Sequence, residues 1–173
     1  MTALNLSVYI VDSDVLIQAH RQYYAFDICP GFWDALIYHH TQGKLFCIDK
    51  IHDEITGADA LAQWVKNVVP KSFFHKTDVL QTVQKYKEIM TWVQSHHFTE
   101  GAKDEFAKVA DGWVVAYACA NSFSVVTQEK LELERRNKVK IPNVCEQFGV
   151  PYCNSFTMLR NFADSFSWAA RNS

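Results

Sequence analysis

Four short apolar runs rich in β-branched and aromatic residues punctuate this chain: residues 7–11 (SVYIV), 44–48 (KLFCI), 123–127 (FSVVT) and 150–153 (VPYC). Each reads as a strand. Between them, apolar residues recur at helical spacing instead. Strands that alternate with helices are the signature of a parallel sheet, because parallel neighbours need a long crossover and a helix supplies it. The expected fold is therefore α/β: a three-layer α/β/α sandwich around a central parallel sheet of four or five strands. At 173 residues, one domain with one core accounts for the whole chain. That core is expected over about residues 6–162, with a tail at 163–173 that frays or packs on a partner.

The helical stretches can be placed roughly. Residues 15–20 begin a helix for which Asp12-Ser13-Asp14 supplies capping chemistry, with Asp14 the better N-cap. Pro30 opens a second helix in which Phe32, Ala35, Leu36 and His39 share a face, and Gly43 closes it. Residues 59–96 read as helical with a break at Pro70. Leu61, Trp64, Val65 and Val68 form one stripe there, and Val79, Val83, Tyr86, Met90 and Val93 form another. Residues 99–121 form a further helix, kinked near Gly101 or Gly112. Pro142 suits the first turn of a short helix, and residues 155–162 form the last.

Composition removes several classes of function. No apolar run approaches the roughly 18 residues that a membrane-spanning helix needs. The formal net charge of −2 argues against whole-molecule attraction to nucleic acid but leaves room for a local basic groove. The five cysteines (Cys29, Cys47, Cys119, Cys145, Cys153) are odd in number and contain no C-x-x-C pair. They read as free thiols in a reducing compartment, so a cytoplasmic protein is expected. The pairs His39-His40 and His96-His97 lack the partner spacing of a zinc site. Five Trp and twelve Phe are rich for this length, and the Trp at helical spacing are expected in the core.

The unusual feature is acidic. In YIVDSDVLI (residues 9–17) two carboxylates interrupt an apolar run directly after a strand. Ligands of open parallel sheets gather at the carboxyl ends of the strands, and Asp12 lies at one. Glu54 follows the second strand, Asp111 begins the apolar helix DGWVVAYA, and Glu129 lies two residues past the third strand. Four acids converging without a counterion would be costly. Two unit charges about 5 Å apart repel by roughly 3 kcal/mol at an effective dielectric near 20, against a folding stability of about 5–15 kcal/mol. A divalent cation removes that cost, and an all-oxygen shell suits one or two Mg²⁺ or Mn²⁺ ions.

The strand followed by DSDVLI, the acid of IHDEI, the DGWVVAYA helix and the strand-ending VVTQE occur in the order found in PIN domains, and the chain resembles that family from about Leu6 to Phe162. It is similar in particular to an uncharacterised bacterial PIN-like family with V-V-T-x-E followed by I-P-x-V-C, here Ile141 to Cys145. The resemblance implies a metal-dependent endoribonuclease. It implies the toxin of a toxin–antitoxin pair, with RNA as substrate, a protein antitoxin as partner, and a homodimer as a further assembly to consider. It also implies Asp12, Glu54, Asp111 and Glu129 as the metal-site acids, Thr127 as the small polar residue beside them, and Ser13 or Asp14 at the rim. Glu129 departs from the Asp common at that position, and Asp14 from the Asn or Ser.

Each acid has a plainer reading: a helix cap for Asp12 and Asp14, a first-turn acid for Asp111, solvated surface for Glu54, Asp104 and Glu129. Lys130, Arg135, Arg136, Lys138 and Lys140 follow Glu129 and are expected either as solvated charge or as a phosphate-contacting rim. Two other functions compete. A strand followed by D-x-D also marks haloacid-dehalogenase-type phosphatases, with Asp12 as nucleophile and Asp14 as acid/base. Val15 and Leu16, however, stand where that family carries Gly-Thr. The second competitor is a non-catalytic PIN-like module that binds RNA or protein.

Overall fold

In the computed structural model, which describes residues 7–170, the five strands form one parallel sheet in the order β3-β2-β1-β4-β5. The strands are β1 (Tyr9–Val11), β2 (Leu45–Ile48), β3 (Phe74–His75), β4 (Ser124–Val126) and β5 (Tyr152–Cys153). Helices flank the sheet in the expected three-layer α/β/α arrangement. Tyr9 lies opposite Leu45 on one side and Ser124 on the other, so β1 is the central strand. The chain leaves β1 to build β2 and β3 on one side, then returns to build β4 and β5 on the other. The two windings part beside β1, and a crevice at the strands' carboxyl ends follows from that topology.

The elements that aim side chains into this crevice are α1 (Ser13–Gln18) after β1, α3 (Asp49–Glu54) after β2, and α7 (Asp111–Asn121) before β4. The remaining helices are α2 (Pro30–Thr41), α4 (Ala60–Asn67), α5 (Leu80–Ser95), α6 (Glu100–Lys108), α8 (Ile141–Phe148) and α9 (Ser155–Asn161). Ile10, Val11, Val125 and Val126 are fully buried, as strands covered on both faces require. Helix α7 is buried along Val114, Val115, Ala116 and Ala118 and packs on α5, α8, β1 and β4. Gly112 lets its first turn approach: a Cβ there would lie 3.0 Å from both the Phe106 and Tyr86 rings. Asp111 is therefore held at the crevice by a close helix contact.

Several expectations change. Residues 59–96 are not two helices about Pro70. They form α4, a 3₁₀ turn (Lys71–Phe73), strand β3 and then α5. Val68 and Val79 lie outside the expected stripes, 58% and 43% exposed, because α4 ends at Asn67 and α5 starts at Leu80. The helix expected over 99–121 is broken at Val109, whose backbone is extended, and not kinked at either glycine. Ala19–Tyr23 continues α1 as a π-helical turn. The start of the expected core, Leu6, and residues 171–173 of the tail lie outside the described residues. The described tail folds back on its own domain: Asp164 bonds His39 at 2.8 Å and Phe166 packs against Tyr24 and Phe32. All five cysteines are free.

Candidate active site

Asp12 extends the sheet by one residue. Its backbone N–H donates to the Val126 carbonyl at 2.9 Å, and its extended backbone then turns into α1. Asp12, not Asp14, is the N-cap: Oδ1 accepts the Ser13 N–H at 2.7 Å. Thr127, just past β4, donates its hydroxyl to Oδ2 at 3.3 Å. The residue is only 2% exposed. Burial pushes its carboxyl well above the usual carboxylate range, and repulsion from Asp111, Asp14 and Glu129 adds to the rise against one backbone donor. Capping explains where Asp12 sits. It does not explain three further carboxylates close enough to repel it.

Those carboxylates come from separate elements. Asp111 opens α7, and burial raises its carboxyl to about 7, with repulsion from Glu129, Glu54 and Asp14 only partly offset by the Lys138 ammonium. Asp14 in the first turn of α1 is raised by burial and by Glu129. Glu54 ends α3. Much of that residue faces solvent, yet its Oε1 accepts the Ala110 N–H at 2.7 Å, at the N-terminal end of α7. Burial of that carboxylate raises its pKa, the Ala110 bond lowers it, and Asp14 raises it again. Glu129 has a side chain only 8% exposed. Its Oε2 accepts the Ile141 N–H at the start of α8 at 2.8 Å, and its Oε1 pairs with Lys138 Nζ at 2.8 Å.

A cavity of about 220 Å³ joins these groups, lined by Ser13, Asp14, Glu54, Glu105, Asp111, Glu129 and Lys138 among others. Of the four acids singled out in the sequence, Glu54, Asp111 and Glu129 line this cavity, together with Ser13 and Asp14. Asp12, bonded to Thr127, is not a lining residue but lies near enough to Asp111, Asp14 and Glu129 to be repelled by them. Glu105 was missed. Residues 102, 105, 106 and 109 all reach the cavity from α6 and its end, and that helical spacing was the available signal. Asp104, expected at the surface, does face solvent and does not line the cavity.

The basic run separates into two groups. Lys138 points into the basin. Lys140 is instead buried and pairs with Glu132, which also holds Arg135 at 3.0 Å. Asn143 completes this second cluster by accepting the Glu132 N–H and donating to the Glu132 carbonyl. Lys140 therefore anchors the loop and does not line a phosphate rim. Arg136 lies 4.0 Å from Glu134, and Lys130 is exposed.

As a donor set, the basin is all carboxylate and hydroxyl oxygen, the chemistry of a Mg²⁺ or Mn²⁺ site. Its geometry is less complete. Among the described residues, no three His, Cys, Asp or Glu side chains stand ready as a metal shell. The acids repel one another, while three of them, Asp12, Glu54 and Glu129, are engaged by backbone donors.

The sequence profile of a domain of unknown function, DUF4411, matches residues 9–166. No curated protein matches the chain. Among solved structures, the crystal structure of FitAcB from Neisseria gonorrhoeae superposes with a TM-score of 0.53 at 14% identity, covering 86% of this chain and 99% of that one. At that identity the likeness concerns the fold alone. The chain belongs to the DUF4411 family.

Proposed function

We propose that this DUF4411 protein is a metal-dependent endoribonuclease of PIN type, the toxin of a toxin–antitoxin pair. The observation that carries the reading is the crowding around Asp12: a 2% exposed carboxylate with Asp14, Asp111 and Glu129 close enough to raise its pKa. A protein that needed only a helix cap there would have no use for the other three. Repulsion of this kind is kept where function needs it.

Asp12 and Asp111 would hold a Mg²⁺ or Mn²⁺ ion, with Glu54, Glu129 and Asp14 reaching it directly or through water. When bound, the ion supplies hydroxide near neutral pH and offsets charge on the phosphoryl oxygens. The chain's own residues do the rest. Thr127 and the Ser13 N–H fix the Asp12 carboxylate from two sides, so that it is aimed before any ligand arrives. The Ala110 N–H does the same for Glu54 and the Ile141 N–H for Glu129. Lys138, the single cation lining the cavity among the described residues, is available to a phosphate oxygen. An antitoxin partner, a cytoplasmic location and homodimerisation belong to the same reading. Among the described residues no helix is long and apolar enough to cross a membrane.

The test is calorimetric titration of Mn²⁺ into the wild type, Asp12→Asn and Asp111→Asn. Binding to the wild type that is greatly weakened in both variants is expected. Undiminished binding in both moves any metal site elsewhere and removes the basis for the nuclease. A phosphatase would instead turn over small phosphate esters through Asp12. A non-catalytic module would bind RNA equally well with and without the ion.

A further inference from the structure

The Lys138 ammonium lies 2.8 Å from Glu129 Oε1, and its side chain remains 40% exposed, so it enters the basin from the cavity mouth. The loop that carries it is held at both ends. Glu129 Oε2 takes the Ile141 N–H at 2.8 Å, while Glu132 ties Arg135 and Lys140 to Asn143. Lys138 is thus delivered to the acids by a braced loop, nine residues after the carboxylate it pairs with. The basin offers five carboxylates along its cavity and one ammonium, yet lacks a ready metal shell among the described residues.

Resting on the metal-ion reading above, we infer that Lys138 is an internal counter-cation that closes the basin in the metal-free protein and competes with the divalent ion for it. Two positive charges share one acidic basin only at a cost, since like charges a few ångströms apart repel, and more strongly the lower the local dielectric. Occupancy by the ion therefore loosens the Lys138–Glu129 pair and frees the ammonium toward the cavity mouth, where a phosphate oxygen of the substrate would arrive. Glu129, released in the same step, becomes available as a ligand. The incomplete shell and the ion pair are then two aspects of one closed state.

The experiment measures Mn²⁺ affinity and metal-free thermal stability of the full chain in the wild type, Lys138→Met and Lys130→Met, at one pH and ionic strength. Lys130 sits on the same loop, is exposed and does not line the cavity, so Lys130→Met removes an equal charge outside the basin. Lys138→Met is expected to bind Mn²⁺ tighter by on the order of tenfold, and Lys130→Met by less than about twofold. Metal-free Lys138→Met should melt below the wild type, and saturating Mn²⁺ should restore it fully. Binding only in Lys138→Met, with none in the wild type, would also support the lock. Equal or weaker binding in Lys138→Met overturns it while leaving the metal site intact. An equal gain in Lys130→Met overturns it as well, since general charge then accounts for the effect. If none of the three binds Mn²⁺, the metal-ion reading itself fails and takes this inference with it.

Discussion

Asp12 and Asp49 occupy nearly equivalent places. Each immediately follows a strand of the sheet's centre, β1 or β2, and each stands at the start of a helix. Their surroundings are opposite. Asp49 receives donors, Thr77 Oγ at 2.7 Å and the Thr77 N–H at 3.3 Å, with the exposed Lys76 Nζ 4.0 Å away. Asp12 receives the Ser13 N–H and the Thr127 hydroxyl, but is also faced by Asp111, Asp14 and Glu129. The difference lies in the neighbouring strand. Beyond β3 the chain reads Lys76-Thr77, whose Thr77 supplies donors to Asp49; beyond β4 it reads Thr127-Gln128-Glu129, which adds charge beside Asp12. The same local motif, an acid at a strand end, is met by donors in one place and crowded by other acids in the other.

The sharpest way to break that contrast is to remove each charge in turn. Asp12→Asn should lower RNA cleavage by on the order of 10³-fold, the scale on which one electrostatic group of an active site matters. It should leave the metal-free fold intact or more stable, because repulsion is relieved. Asp49→Asn should leave cleavage within about twofold. Cleavage assays on preparations shown to be free of contaminating ribonuclease decide this. If Asp12→Asn cuts as fast as the wild type, the two acids are not different in kind.

Proton linkage separates them next. The Asp111 carboxyl is raised from 3.8 to about 7, chiefly by burial, so the folded protein holds a proton that the unfolded chain releases. For a raised acid the stability it contributes is fully present below the unfolded value and is lost as pH climbs to the folded one. Metal-free stability should accordingly fall between pH 4 and about 7 relative to Asp111→Asn, whose neutral amide removes this dependence. Metal affinity should rise over the same window as protons stop competing. Denaturant unfolding at a series of pH values measures the first, calorimetry the second. A wild type and Asp111→Asn that run parallel across the window would refute the shift.

Asp49→Asn has its own expected signature, a loss of about 1 kcal/mol of stability, because the Thr77 hydroxyl and N–H would then face a neutral acceptor. Thr77→Val should cost a similar amount, and the double variant should cost less than the sum of the two. Additive losses would mean the pair does not hold α3 to the strand after it.

Much of this was legible in the chain. Asp12, Glu54, Asp111 and Glu129 stood out because each acid adjoined an apolar strand or helix, a placement that solvation does not explain. What was not legible depended on partners distant in sequence. The two-residue strand β3 is too short to show a period, and it forms because Cys47 and Ile48 lie opposite Phe74 and His75. Lys138 and Lys140 look alike in NKVKI, yet one enters the basin and the other is buried against Glu132. Alternation along an extended loop would send both lysines to one side, opposite the buried Val139; what separates them is the acid each meets, Glu129 for Lys138 and Glu132 for Lys140. Asp12 rather than Asp14 took the cap because α1 starts at Ser13, directly after it, which leaves Asp14 inside the first turn.

The smallest predicted effect concerns the outer part of that basic run. Arg135 is held by Glu132 and Asn137, so it has little freedom to meet a phosphate. Arg136 is 42% exposed, and its nearest acid, Glu134, lies 4.0 Å away and is itself almost wholly exposed. An ion pair that loose contributes little, which leaves Arg136 free to reach RNA. Arg136→Ala should therefore lower the slope of log K against log salt for single-stranded RNA by about 0.7, one phosphate contact's worth. Arg135→Ala should change it by less and act instead on the loop that Glu132 braces. Both effects are small beside that of Asp12, and they differ in kind from it: they change how tightly RNA is held, not whether it is cut. Equal slopes for Arg136→Ala and wild type would confine the substrate's path to the Lys138 side of the cavity.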